Sequence, residues 1–183
     1  NQKKLNSEFS LEISKDYEHQ LFNSLNIIQD IKKINFKNNF ILSALNLAFL
    51  GSLSKNEIIL NKDLINWPDG VFSKFIQKKI KKIPGRQVLT DLKITNDIKK
   101  IIILGNLSKA SKHYLKLRFK LPIIHQTLPF GSVDKITKKI NMKIKKSDLI
   151  FLTLPTPKQE QIAQFIKTQN KFFKIICIGG TIG

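Results

Sequence analysis

The stretch LIFLTLPTPKQE, residues 149–160, decides the fold class of this chain. Its first six residues form an almost continuous apolar run, which is typical of a strand buried on both faces. Pro155 and Pro157 follow the run and end the strand. Pro157 stands near the first turn of a predicted helix, where proline is favoured. A buried strand that leads directly into a helix indicates an α/β protein with a parallel sheet.

The rest of the chain alternates in the same way between apolar runs and amphipathic segments. We predict strands at residues 40–42, 57–60, 100–104, 121–125, 148–154 and 172–178. We predict helices at residues 16–33, 46–53, 71–83, 108–120, 133–145 and 157–168, and a polar loop at residues 85–91. This alternation predicts one Rossmann-like α/β domain, with a mostly parallel sheet and helices on both faces, at residues 39–183. Residues 1–38 are predicted to be a polar leader with one amphipathic helix.

Composition sets the outer limits of the interpretation. The chain has 183 residues, enough for one domain with a real core. No apolar run approaches the roughly 20 residues that span a bilayer, and no signal-peptide pattern follows Asn1, which leaves an internal start and processing both open. The single Cys177 excludes an internal disulfide and a multi-cysteine zinc site, and we expect it to be a small buried strand residue.

The formal net charge of +19 has two interpretations. Basic proteins bind nucleic acid, anionic lipid or phosphorylated substrates. The lysines also accompany many asparagines and isoleucines, as expected of an AT-rich genome, and they are scattered along predicted helix surfaces. A basic nucleic-acid-binding module without catalytic activity therefore remains an alternative, although no nucleic-acid-binding motif is present.

Polar residues follow several predicted strands, and parallel strands bring their carboxyl ends to one edge of a sheet. Asp69 lies in a Pro-Asp-Gly turn beside Trp67, and its carboxylate suits either a helix cap or a general base. Arg86 is one of two arginines and suits either a bidentate contact with phosphate or a surface ion pair with Asp91. Gln159 stands at a predicted helix start, where free backbone N–H groups favour anions.

Three further observations limit the chemistry. Gly105 opens a loop that could place backbone amides near a phosphate, but the G-x-G-x-x-G spacing is absent, which disfavours a nucleotide-cofactor oxidoreductase on the same fold. The three histidines are dispersed without a carboxylate cluster, so no metal site is predicted. We expect Glu160 to lie in a solvated first turn of its helix.

Five motifs occur in a fixed order along the chain. They are Pro-Asp-Gly at residues 68–70, Arg86 with Asp-Leu at residues 91–92, Ile-Leu-Gly at residues 103–105, Asp-Leu-Ile followed by Pro-Lys-Gln-Glu within residues 148–160, and Ile-Gly-Gly at residues 178–180. In this order they resemble the WecG/TagA/CpsF family of glycosyltransferases, over residues 40–183. The resemblance implies transfer of an N-acetylmannosamine-type or related sugar from a UDP donor to an undecaprenyl-diphosphate-linked acceptor, with inversion and without a metal ion or other cofactor.

The resemblance also implies roles for particular residues. Asp69 would be the catalytic base, and the substrate-binding residues would be Asn46, Arg86, Gly105, Gln159, Gly179 and Gly180. We expect Asp69, Arg86 and Gln159 to converge on one cavity. The resemblance also implies that the protein acts at the cytoplasmic face of an anionic membrane, in surface polysaccharide or teichoic acid synthesis. A homo-oligomer remains possible, and nucleic acid is disfavoured as a partner.

The chain departs from the family at three points. Asn106 and Pro155 stand where the family has glycines, which makes both loops stiffer. The family's arginine-bearing C-terminal appendage, thought to dock on the membrane and close the site, has no counterpart here. We therefore expect a fragment, a degenerate member or closure of the site by another chain.

Overall fold

The computed structural model describes residues 23–70, 80–140 and 142–179. A short 3-10 helix, Ile31–Lys33, comes first. The strands are β1 (Phe40–Leu45), β2 (Leu64–Pro68), β3 (Lys100–Gly105), β4 (Ile123–Gln126), β5 (Asp148–Thr153) and β6 (Lys174–Cys177). The helices are α1 (Leu47–Ser54), α2 (Gly85–Asp91), α3 (Lys109–Phe119), α4 (Val133–Thr137) and α5 (Lys158–Gln169).

The six strands form one sheet in the order β2-β1-β6-β5-β3-β4. Every strand pair in this sheet is parallel. Since parallel strands need crossover connections, helices separate most of the strands along the chain. The structure thus confirms the predicted Rossmann-like α/β fold.

Side chains of each central strand alternate between two apolar cores, one on each face of the sheet. In β5, Ile150 and Leu152 join the core that also contains residues of α1, α4 and α5. Leu149 and Phe151 join the opposite core, with residues of α2 and α3. Helices therefore cover both faces, which explains why the strand sequences are almost continuously apolar.

The segment before β1 also packs on this sheet. Leu25, Ile31, Ile34 and Phe36 are buried in the same two cores. Of the helix predicted at residues 16–33, residues 16–22 lie outside the described residues, and the prediction is wrong for residues 25–30, which are not helical. Ile27 instead forms a parallel bridge with Asn66 of β2, because the open edge of the sheet offers backbone partners there.

The strand predicted at residues 57–60 is also wrong, because that segment is a loop. Side-chain amides of α5 take the place of a strand partner: Gln161 donates to the Glu57 carbonyl at 3.1 Å and Gln164 to the Ile59 carbonyl at 2.7 Å. The second strand is β2, which begins at Leu64 and pairs in register with β1.

Two helix predictions and one loop prediction in the middle of the chain differ from the structure. The helix predicted at residues 133–145 ends at Thr137, and residues 142–145 are not helical. Ile144 is nevertheless buried, so the apolar spacing reflects packing rather than a helix. The predicted loop at residues 85–91 is α2, whose Val88 and Leu89 are buried. Of the helix predicted at residues 71–83, residues 71–79 lie outside the described residues and residues 80–83 are not helical.

Candidate functional site

A cleft of about 300 Å³ lies at the carboxyl ends of four neighbouring strands. Asn46 follows β1, Trp67 and Asp69 lie at the end of β2, Gly179 follows β6, and Gln159 lies in α5 after β5. The sheet order places β2, β1, β6 and β5 side by side, so residues far apart in the sequence meet at one edge. This is the edge at which ligands bind in open parallel sheets.

Two larger cavities, of about 680 and 570 Å³, lie at the opposite edge of the sheet. They are bordered by segments that precede the strands, and Lys37 and Lys146 line both. Neither contains a residue of the predicted site. We therefore take the smaller cleft at the carboxyl edge as the candidate functional site.

Asp69 is held in a turn that is fixed on both sides. Its backbone N–H donates to the Leu45 carbonyl at 3.1 Å, and the N–H of Gly70 donates to Oδ1 of the Asp69 carboxylate at 2.8 Å. Gly70 has φ +76°, a left-handed conformation that favours glycine. The Ile83 N–H donates to the carbonyl of Pro68 at 2.8 Å and anchors the segment that leads into α2. The turn therefore presents a half-buried carboxylate at the cleft.

Two helices begin at the cleft. Asn46 caps α1 by accepting a hydrogen bond from the Phe49 N–H at 3.0 Å, and Ala48 in the first turn of α1 also lines the cleft. Helix α5 begins at Lys158, shortly after Pro155 and Thr156, which also line the cleft. Helix N-termini carry partial positive charge that favours anions, whereas the Asp69 carboxylate adds negative charge to the same cleft.

Gln159 connects the two loops that form one wall of the cleft. Its Oε1 accepts a hydrogen bond from the Gly179 N–H at 2.9 Å, and its Nε2 donates to the Thr156 hydroxyl at 3.1 Å. Gly179 has φ +52°, a left-handed conformation that favours glycine over residues with a side chain. The amide of Gln159 therefore fixes the shape of the wall that it also lines.

Glu160 is buried, not solvated, so the expectation of a solvated first turn is wrong. Glu160 is only 1% exposed. Its Oε1 accepts hydrogen bonds from the hydroxyl groups of Ser43 at 2.6 Å and Thr156 at 3.1 Å, and from the side-chain amide of Gln159 at 3.0 Å. Burial raises the pKa of the Glu160 carboxyl above its ordinary value, and these hydrogen bonds offset part of the rise. Among the described residues, Oε2 has no hydrogen-bond partner.

One feature of the sequence could have indicated this buried carboxyl. Ser43 is the only polar residue in β1, whose sequence is FILSAL. A hydroxyl inside a strand buried on both faces needs a hydrogen-bond partner, and the helix packed on that face can supply one. The sequence could not show that the helix would be α5.

Cys177 is fully buried in β6 and lies beside Ser43 in the parallel register of β1 and β6. Burial raises the pKa of its thiol well above the ordinary value, and the nearby Glu160 carboxylate raises it further. A protonated, buried thiol of this kind is a packing residue rather than a nucleophile. The predicted small buried strand residue is confirmed.

The cleft brings together Asn46, Asp69, Gln159 and Gly179, whereas Arg86 and Gly105 do not line it. Arg86 is exposed on α2 and does not line the cleft. Gly105 ends β3, beyond β5 in the sheet, and a Cβ there would lie 2.5 Å from Thr153 Oγ1, so close packing explains this glycine. Gly180 lies outside the described residues. The expected convergence of Asp69, Arg86 and Gln159 therefore holds for the first and third only.

In the part of the chain that the structure describes, His, Cys, Asp and Glu side chains form no group of three or more that could hold a metal ion. No helix among the same residues has the length and apolar character needed to cross a membrane. Neither a comparison with protein-family models nor one with curated protein sequences gives a significant match. The fold and the cleft thus define an α/β protein with a Rossmann-like sheet and, at its carboxyl edge, a cleft that combines a carboxylate with two helix starts.

Proposed function

We propose that this chain is a glycosyltransferase that moves an N-acetylmannosamine-type or related sugar from a UDP donor to an undecaprenyl-diphosphate-linked acceptor. One observation carries the proposal: the Asp69 carboxylate shares a cleft with the starts of two helices at the carboxyl ends of neighbouring parallel strands. The ordered motifs of the sequence, several of which border this cleft, support the same assignment.

In the proposed reaction Asp69 is the general base. Its carboxylate takes the proton of the acceptor hydroxyl while that oxygen forms a bond to the anomeric carbon of the donor. The bond from this carbon to the UDP oxygen breaks on the opposite face, so the configuration inverts and UDP leaves with the electron pair. General-base catalysis of this kind contributes roughly 10²–10⁴-fold to a rate.

The leaving diphosphate needs positive or hydrogen-bonding groups. We assign this part to the N-termini of α1 and α5, which flank the cleft, together with the amide of Asn46. The Gln159 side chain and the Gly179 backbone would shape the donor pocket, and Gly105 and Gly180 remain proposed contacts from the resemblance alone.

Arg86 stays in the proposal as a donor contact for a geometric reason. It follows Ile83 by three residues, and the Ile83 N–H is hydrogen-bonded to Pro68, next to Asp69. Three residues span at most about 10 Å, so the long Arg86 side chain lies within reach of a ligand that protrudes from the cleft.

We further propose that the chain works at the cytoplasmic face of an anionic membrane, where the lipid-linked acceptor is found, in surface polysaccharide or teichoic acid synthesis. The net charge of +19 supports this location. Basic residues near an anionic surface are each worth about 1 kcal/mol of membrane attraction.

A basic nucleic-acid-binding module is the second candidate, and the small number of ion pairs among the described residues favours it. In the described part of the chain only two ion pairs occur, Lys100 with Asp148 and Lys167 with Asp63. Most of the basic excess is therefore not neutralised within the protein and is available for a polyanion. Such binding is steeply salt-dependent.

Calorimetric titration distinguishes the candidates. We expect UDP to bind, NAD not to bind, and a generic DNA duplex to bind weakly and only at low salt. Tight DNA binding without UDP binding would favour the second candidate. Binding of NAD in preference to UDP would contradict both.

A further inference from the structure

A buried carboxyl lies directly behind the cleft. Glu160 does not line the cleft and is 1% exposed, yet it contacts two residues that do line it. The hydroxyl of Thr156 and the amide of Gln159 both donate to its Oε1, at 3.1 and 3.0 Å. Burying a polar group costs free energy unless it is hydrogen-bonded, so the partners of Glu160 determine what its burial does.

The contacts of Glu160 reach three strands of the sheet. Ser43 belongs to β1, and its hydroxyl donates to the same Oε1 at 2.6 Å. Thr156 belongs to the loop after β5. Gln159 carries the connection onward, because its own Oε1 accepts the Gly179 N–H just after β6 at 2.9 Å. One carboxyl oxygen thus joins the middle of β1 to the two loops that form the cleft wall.

We propose that Glu160 is a positioning residue of this site, which fixes Thr156 and Gln159 directly and the Gly179 backbone through Gln159. The placement stands on the hydrogen-bond geometry alone, whereas its consequence for UDP binding rests on the function proposed above. Burial raises the pKa of the Glu160 carboxyl above its ordinary value, and the hydrogen bonds that it accepts oppose this rise. All three side-chain donors use Oε1, so a glutamine at this position can accept the same hydrogen bonds.

Amide hydrogen exchange of Gly179, followed by NMR, tests the placement. In Glu160→Ala we expect the Gly179 amide to lose protection by roughly tenfold, because Gln159 is no longer held. In Glu160→Gln we expect protection within about threefold of the parent. The Ile103 amide in β3 reports global opening, and local loss is measured relative to it. In Glu160→Asp the side chain is one methylene shorter, which moves the carboxyl away from its donors. This variant gives the same test if the alanine variant does not fold.

Gln161→Ala is the matched control. Gln161 is the next residue of α5, but its amide bonds to the Glu57 carbonyl, away from the cleft wall. We expect this variant to leave Gly179 protection unchanged. Parent-like Gly179 protection in folded Glu160→Ala or Glu160→Asp would overturn the proposal. So would equal loss at Gly179 and Ile103, or a loss in Glu160→Gln as large as in Glu160→Ala.

UDP titration of the same variants tests the consequence for binding. We expect roughly tenfold weaker binding in Glu160→Ala and parent-like binding in Glu160→Gln, because one lost buried hydrogen bond is worth about that factor. Unchanged UDP affinity in Glu160→Ala would contradict the positioning role. A parent that does not bind UDP would instead contradict the proposed function, and the exchange result would still decide the placement.

Discussion

The hydroxyl of Ser43 donates a 2.6 Å hydrogen bond to Oε1 of Glu160, across 117 positions of the chain. This contact pairs the one polar side chain of β1 with a carboxyl in the first turn of α5. It also fixes α5 on the sheet at the place where the helix enters the cleft wall.

Ser43→Ala should lower the free energy of unfolding by about 1–3 kcal/mol, because a buried carboxyl loses one of its donors. Urea denaturation measures the change. Ser54→Ala is the control: its hydroxyl donates to the Gly51 carbonyl at 2.8 Å in an exposed position, and we expect a change within about 0.5 kcal/mol. Equal effects of the two substitutions would contradict the importance of the buried pair.

Glu160→Gln should change how stability depends on pH. Burial raises the pKa of Glu160, so the folded protein binds this proton more tightly than the unfolded chain does. The resulting stabilisation is fully present below the unfolded-state pKa and is lost as the pH rises through the folded-state pKa. Glutamine does not titrate, so the stability of the variant relative to the parent should increase as the pH rises above about 4, the ordinary range of a Glu pKa. Urea denaturation at pH values from about 4 upward measures it, and a constant or opposite difference would contradict the prediction.

Gly105→Ala should destabilise the protein by roughly 2–4 kcal/mol through backbone strain and overpacking. Gly105 has φ +122°, and an added Cβ would lie 2.5 Å from Thr153 Oγ1. Gly51→Ala is the opposite case, since nothing lies within 4 Å of a Cβ at this exposed position of α1. It should stabilise the helix by about 0.5–1 kcal/mol. Thermal unfolding compares the two, and a parent-like melting temperature for Gly105→Ala would contradict the packing role.

Asp69→Asn tests the catalytic assignment. The substitution keeps the shape of the side chain and removes the base, so UDP-sugar turnover should fall by roughly 10²–10⁴-fold while UDP binding and the circular dichroism spectrum are retained. Asp134→Asn, at an exposed position in α4, should leave turnover unchanged. A folded Asp69→Asn protein as active as the parent would rule out Asp69 as the base.

Much of the fold could be predicted from the sequence because burial on both faces makes each central strand nearly all apolar. The run of β5 and the start of α5 were predicted within one residue, since Pro157 marks the boundary sharply. The same reasoning failed at residues 57–60. There apolar side chains pack on the core from a loop whose carbonyl groups are bonded by glutamines of α5.

The candidate site could be predicted only in part. Asn46, Asp69, Gln159 and Gly179 follow four strands, and parallel pairing alone brings the carboxyl ends of strands to one edge. Gly105 follows a strand in the same way. It falls outside the cleft because β3 lies beyond β5 in the sheet, and strand order is not written in any local pattern.

The sequence by itself determined the class of fold and the edge of the sheet at which polar residues gather, because hydrophobic period and turn chemistry are local properties. Only the tertiary structure decided which strand ends are neighbours, and that Glu160 is a buried carboxyl rather than a solvated one. Both depend on contacts between residues far apart in the chain. Ser43, the partner of Glu160 on β1, lies 117 positions away, which is far beyond the range of any helical or strand periodicity.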